Sequence, residues 1–317
     1  MVAGYFVVNS YERKGFAAFF RDRFIRLGIP VLFTMLIITP ITGKILFNDN
    51  WLDPPFSFLD LIKRILNGVG VMWFAELLLL FSLFYGLTQI RLFKKFIDAV
   101  PKSLEITLIR EFGLILVMAV LAFIIRFWFP ADQAIFGLRF GNFSSYTLLF
   151  FLGVLAHKSN LLDSISYVHG IRWLAAGILI GLGGGAALFI LGGGTMAFNI
   201  FGVRLVGYEI FQGGLTLQSA AYTLWDSFVA VSMSIGLLAL FKEKFNFETP
   251  LSKTLAKDAF AVYMFHLPIV MGATILIEPL PLLPIVKFIL LCVLLVPLCF
   301  ALSHYVFRKI PLLGKLL

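Results

Sequence analysis

Apolar residues in this chain come in long, nearly unbroken runs. As an α-helix, about 17–25 such residues cover the roughly 30 Å of hydrocarbon in a bilayer. Eight stretches qualify: Leu27–Phe47, Val71–Ile90, Ile106–Phe129, Phe140–Ala156, Ile171–Gly192, Ala220–Phe241, Ala259–Ile277 and Ile285–Phe307. None shows the period-two alternation that a membrane β-barrel requires. Phe140–Ala156 is the weakest, being short and holding Ser144 and Ser145. Ile171–Gly192 carries Gly181, Gly183, Gly184 and Gly185, a density that allows close helix packing. Met1–Val8 reads as the tail of a helix too short to span, entering a loop over residues 11–26. The pattern predicts an all-α polytopic membrane helix bundle: eight complete transmembrane helices plus an N-terminal half-helix, with residues 1–317 one domain.

Composition agrees. The chain is 60% hydrophobic and 14% charged, with a mean hydropathy of +0.98. That leaves too little polar surface to coat a soluble globule, and it excludes disorder and a disulfide scaffold. Cys292 and Cys299 lie seven apart in one apolar run. A helix separates them by about 10 Å of rise, beyond disulfide reach. The net charge of +9 would suggest nucleic acid in a soluble protein, but here its distribution gives another reading. Segments 11–26, 91–105, 157–172, 242–258 and 308–317, with Arg110, hold 19 of the 26 Lys and Arg. Lys44, Lys63, Arg64, Arg126, Arg139, Arg204 and Lys287 fall on the other side or at span ends. Positive charge gathers on the cytoplasmic side of membrane proteins. The C-terminus is therefore expected in the cytoplasm, with membrane lipid as the partner and no nucleic acid.

Four places carry candidate chemistry. Arg23-x-x-Arg26 stands at the cytoplasmic entry of the first span, and i,i+3 residues share a helix face. Two guanidiniums there suit a pyrophosphate or a phosphomonoester, or equally the lipid headgroups. Glu76 lies a few residues inside the second span, behind Trp73. A carboxylate in hydrocarbon is costly, so it should face a polar cavity or a partner. His266 lies inside the seventh span, three residues after Tyr263 and just before Pro268. It suits either proton transfer or a structural hydrogen bond to a carbonyl freed by the proline. Trp225-Asp226 near the outer start of the sixth span offers a stacking face and a hydroxyl acceptor. Glu76, Asp226 and His266 are expected to face one shared interior cavity. The four histidines are scattered and give no metal spacing, and no nucleotide-loop or nucleophile-elbow motif is present.

Taken in order, several stretches resemble the acyltransferase 3 family of integral membrane acyltransferases. They are Ala3-Gly-Tyr-Phe, Arg21-Asp-Arg-Phe-Ile-Arg-Leu-Gly-Ile-Pro30, Met72-Trp-Phe-Ala-Glu-Leu-Leu78, Tyr146-Thr-Leu-Leu-Phe-Phe-Leu-Gly-Val-Leu-Ala156, Leu224-Trp-Asp-Ser-Phe228, Ala259-Phe-Ala-Val-Tyr-Met-Phe-His266 and Arg308-Lys-Ile-Pro311. The resemblance implies transfer of an acyl group, often acetyl, from cytoplasmic acyl-CoA (acetyl-CoA) to a hydroxyl of a carbohydrate or surface glycan, without a metal. It implies a bacterial cytoplasmic (inner) membrane. It assigns Arg23 and Arg26 to the acyl-CoA; His266 and Glu76 stand beside it as the candidate catalytic residues, and Trp73, Tyr263, Trp225 and Asp226 as candidate substrate contacts. The family's basic residue and histidine, separated by ten residues on its first helix, have no counterpart here. The chain is therefore expected to lack that helix and to be inactive without it. Lys158 and His169 have a similar spacing but lie in a polar loop. A multi-pass transporter or flippase-like protein for a lipid or glycan is the competing reading.

Overall fold

A computed structural model of the protein describes residues 1–47, 59, 62, 70–89, 107–199 and 202–310. Lys63, Arg64, Arg91, Lys94, Lys95, Lys102, Pro311 and Lys315, and the span ends Ile90 and Ile106, lie outside the described residues. Helix α1 (Val2–Lys14) is followed by α2 (Phe16–Gly43), α3 (Gly70–Thr88), α4 (Leu108–Trp128), α5 (Phe143–Lys158), α6 (Tyr167–Leu191), α7 (Leu217–Lys244), α8 (Pro250–Ile277) and α9 (Pro284–Lys309). Among the described residues, seven of these, α2–α4 and α6–α9, are long and apolar enough to cross a membrane. The α5 helix has 16 residues, enough for only about 24 Å at 1.5 Å per residue. Its span was predicted three residues longer at the start, where a 3₁₀ turn at Phe140–Asn142 stands instead.

The bundle is apolar on its outside. The α9 helix buries only Leu295, Cys299 and Ser303, and turns Phe288, Val293, Leu294 and Val296 outward. Such a surface is stable only against lipid. The protein is an integral membrane protein, an all-α polytopic bundle. A two-stranded antiparallel hairpin, β1 (Thr195–Asn199) and β2 (Gly202–Val206), joins α6 to α7, and the apolar pattern did not foretell it.

Residues 11–26 are not a loop, as expected from their charge, but helix on both sides of one break. The α1 helix runs to Lys14 and the next begins at Phe16. Gly15, at φ 72°, makes the corner, a backbone region nearly closed to residues with a Cβ. Three stretches, Phe24–Gly28, Thr34–Ile38 and Ile180–Gly184, are π-helical.

Packing relies on small residues. Gly170 and Gly177 of α6 meet Ala239 and Ser232 of α7, and Gly236 of α7 lies against Leu174 of α6. Trp173, Val231, Ile235 and Ala239 build a core on that seam, with Ile115 and Met118 of α4. On the other side Gly4 of α1 lies on the Phe150 carbonyl of α5, over a core of Val7, Val8, Phe19, Tyr85 and Phe150. The bundle has two ends, because the start of α4 meets the start of α6 through Glu111 and His169, whereas the end of α4 meets the start of α7 through Arg126 and Asp226. One holds Arg23 and the start of α4, and the other holds Trp73, Asn142 and the end of α4.

Candidate functional site

At the end opposite Arg23, polar side chains from α7 and from the turn before α5 converge on Arg126. This residue sits in the last turn of α4 and is 1% exposed. Its Nη2 donates to Asp226 Oδ2 of α7 at 2.6 Å and to Asn142 Oδ1 at 2.7 Å, and its Nε donates to the Gly141 carbonyl at 3.1 Å. The guanidinium lies 5.1 Å from the centre of the Tyr222 ring. One turn further along, the Tyr146 ring stands 5.8 Å from that of Trp73. A buried charge is tolerable only when paired and hydrogen-bonded. Arg126 meets that need with one carboxylate and two oxygen acceptors.

Beside this cluster, the Tyr263 hydroxyl of α8 donates to the Val71 carbonyl, tying α8 to the start of α3. One turn into α3, Glu76 is half-buried, and its Oε2 is buried without a partner among the described residues. The Tyr263 and His266 rings stack at 6.3 Å. His266 Nδ1 lies 2.9 Å from the Tyr263 carbonyl and 3.2 Å from that of Val262. A carbonyl only accepts, so in this geometry Nδ1 is the donor. The imidazole lines an apolar slot of about 360 Å³ between α8 and α9, with Val270, Leu295 and Phe300.

At the Arg23 end, Asp22 takes Lys14 at 2.6 Å and Arg26 at 3.0 Å. Arg23 is half-buried over the Phe19 ring at 5.2 Å, its Nε buried and unpartnered among the described residues. Glu111 of α4, also buried, accepts from His169 Nε2 at 2.6 Å and from Trp173 Nε1 at 3.1 Å. Asp258 of α8 is buried too, and accepts from His304 Nδ1 at 3.0 Å and Arg308 Nη1 at 2.9 Å of α9.

A family model described as an acyltransferase domain matches residues 1–304. The chain belongs to the acyltransferase 3 family. Neither the curated proteins nor the solved structures give a match. This acyltransferase 3 protein is thus, in general terms, a membrane acyltransferase.

The structure places its expected site residues unevenly. Trp73 and Glu76 share the opening of α3, while Tyr263 and His266 form a pair. Among the described residues, neither Glu76 nor Asp226 lines the His266 slot, and Asp226 is held by Arg126. Pro268 does not supply the His266 acceptor. It frees the carbonyl four residues back, at Met264, whereas the bond goes to Tyr263 and Val262. Trp225 is only partly free to stack, because its Nε1 donates to the Ile180 carbonyl at 2.8 Å and its ring stacks on Tyr222 at 5.5 Å. Arg23 and Arg26 straddle the start of a π-helical turn, so the α-helical i,i+3 argument does not hold for them. Arg26 is 69% exposed, and Arg23 turns inward. His169 is in the first turn of α6, not in a loop.

The residues missed are Arg126, Asn142 and Tyr146. One signal was there: Arg126 and Asp226 both sit inside apolar runs, and charges so placed need each other.

Proposed function

We propose that this acyltransferase 3 protein transfers an acetyl group from cytoplasmic acetyl-CoA to a hydroxyl of a carbohydrate or surface glycan. The membrane is the bacterial cytoplasmic (inner) membrane, with the C-terminus in the cytoplasm. The observation that carries this reading is the state of His266. Its Nδ1 proton is committed to its own helix, and Nε2 has no partner among the described residues. That is the tautomer a general base needs. The acceptor O–H proton passes to Nε2 as the oxygen bonds to the thioester carbonyl carbon. The C–S bond then breaks, and the imidazolium returns the proton to the departing sulfur. Glu76, with an oxygen that is buried and unpartnered among the described residues, holds the acceptor hydroxyl or the developing imidazolium. Trp73, Tyr263, Trp225 and Asp226 border the substrate path, and the apolar slot beside His266 suits a short acyl chain. Transfer of labelled acetyl from acetyl-CoA to glycans by the full chain tests the reading. Turnover unchanged in His266→Gln overturns His266 as the base. No transfer and no CoA release under any acceptor overturns acetyl transfer.

Arg23 and Arg26 serve the phosphates of the donor in this scheme. Replacing both with Ala should raise the acetyl-CoA KM by about tenfold or more, the worth of one or two charge-assisted hydrogen bonds. Folding should be unaffected. Lys at both positions should rescue only in part, because an ammonium has no bidentate fork. Steady-state kinetics in acetyl-CoA, with a melting curve of each variant, measures this. An unchanged KM assigns the pair to lipid headgroups.

A further inference from the structure

We infer that His304 and Arg308, at the end of α9, form a binding site for a phosphate group, with Asp258 of α8 positioning both. Service to the phosphates of acetyl-CoA rests on the acyl-transfer reading, but the binding of phosphate does not.

The first observation is how one carboxylate is shared. Asp258 is 1% exposed. Its Oδ2 accepts from His304 Nδ1 at 3.0 Å and its Oδ1 from Arg308 Nη1 at 2.9 Å. One cation is enough to balance one carboxylate, and an arginine that served only this carboxylate would grip both oxygens with its fork. Here each partner gives a single N–H and keeps its other edge. His304 Nε2 and Arg308 Nη2 have no partner among the described residues. The two side chains are 43% and 31% exposed, so a ligand can reach them. The frame beneath is fixed. Ser303 Oγ donates to the Asp258 carbonyl at 3.1 Å. The Phe307 ring, next to Arg308, stacks on Phe265 of α8 at 4.0 Å.

Charge and geometry select the ligand. Among the described residues, Asp258 is the only acid paired with either side chain, and it offsets one cation. Lys257 beside Asp258 and Lys309 beside Arg308 are exposed and make no ion pair among the described residues. Lys309 lies instead over the Tyr305 ring at 5.7 Å. Positive charge is left over, so an anion gains here. A carboxylate has two oxygens, which one guanidinium edge already fills. A phosphate monoester brings about three acceptor oxygens and a charge near −2. The free guanidinium edge and an imidazolium Nε2–H can then each take an oxygen of the same group. The site is open at the helix end, which suits a terminal phosphate whose molecule extends outward.

The test is isothermal titration calorimetry on the full chain in dodecyl maltoside micelles, which carry no phosphate. Each phosphate probe is set against a counterpart without phosphate. Adenosine 3′,5′-bisphosphate is paired with adenosine, and dioctanoyl phosphatidic acid with dioctanoylglycerol. At least one phosphate probe should bind more tightly than its counterpart. His304→Asn and Arg308→Lys should each weaken that probe about tenfold, the worth of one charge-assisted hydrogen bond. Both variants keep Asp258 paired, since the Asn amide stands in for Nδ1 and the Lys ammonium for Nη1. A melting curve of each checks the fold, and if one melts early the other carries the comparison. The probe with the larger loss names the source: the bisphosphate a soluble nucleotide, the phosphatidic acid a lipid headgroup. No preference for phosphate in either pair overturns the site, and so does wild-type affinity in the folded variants. Transfer of labelled acetyl from acetyl-CoA is measured on the same preparations. Transfer with wild-type phosphate affinity in the variants overturns this site alone. Phosphate binding that the variants weaken, with no acetyl transfer by the wild type, overturns acyl transfer alone.

Discussion

Arg126→Met is expected to cost about 3–5 kcal/mol of stability, the usual price of breaking a buried ion pair from one side. The substitution strands Asp226, and it also takes the donor from Asn142 Oδ1 and the Gly141 carbonyl. Three connections between α4, the turn before α5, and α7 vanish at once. Arg126→Lys should recover little, because a single ammonium cannot serve three acceptors in the geometry of a planar fork. Arg126→Met with Asp226→Leu should recover much more, since removing both charges removes the desolvation cost together with the attraction. Denaturant unfolding in micelles measures all three. A loss below about 1 kcal/mol for the single variant would place Arg126 among weak exposed pairs and contradict the burial seen here.

The second large effect is one of sign. Gly→Ala inside an exposed helix ordinarily gains up to about 1 kcal/mol, by removing backbone freedom from the unfolded chain. Gly236→Ala should do the opposite and lose about 1–3 kcal/mol, as overpacked cores do. Its Cβ would stand 2.7 Å from Leu174 Cα and 2.8 Å from Leu174 N. Those are backbone atoms, which cannot rotate away as a side chain can. The α6 and α7 helices would have to separate, loosening Trp173 and Ile235 in the core they share. Gly113→Ala on α4 is the control, since nothing lies within 4 Å of its Cβ position. It should be neutral or stabilising. Thermal unfolding of the two variants side by side checks the contrast, and equal shifts would mean that the seam is not tightly packed.

Much of the architecture was legible in the run lengths, because hydrocarbon thickness sets how many apolar residues a span needs. Hydropathy reports depth in the membrane. It does not report which way a helix is turned. The pairs that depend on rotation therefore escaped: Arg126 with Asp226, a hundred residues apart, Glu111 with His169, and Asp258 with His304 and Arg308. The rotation of α2 was misjudged for a related reason. An α-helical wheel puts Arg23 and Arg26 on one face, but the wheel does not apply across the π-helical turn that starts at Phe24. His266 does lie in an apolar setting, but its partner was not foreseen, because Pro268 frees one carbonyl and the side chain reaches another. The segment over residues 11–26 looked like a loop because it is charged. Its charges sit on helices that also carry Phe19 into the core.

The π-helical stretches bear on how this chain tolerates changes in length. A π-turn holds one residue more than the α-turn it replaces. Deleting a single residue within Phe24–Gly28, Thr34–Ile38 or Ile180–Gly184 lets the backbone close into α-helix, while the segments on either side keep their facing. A deletion in the uninterrupted α-helix Leu108–Trp128 has no such slack. Every residue beyond it turns by about 100°, and Arg126 swings away from Asp226. Single-residue gaps between this chain and its relatives should therefore gather in the three π-helical stretches and avoid α4.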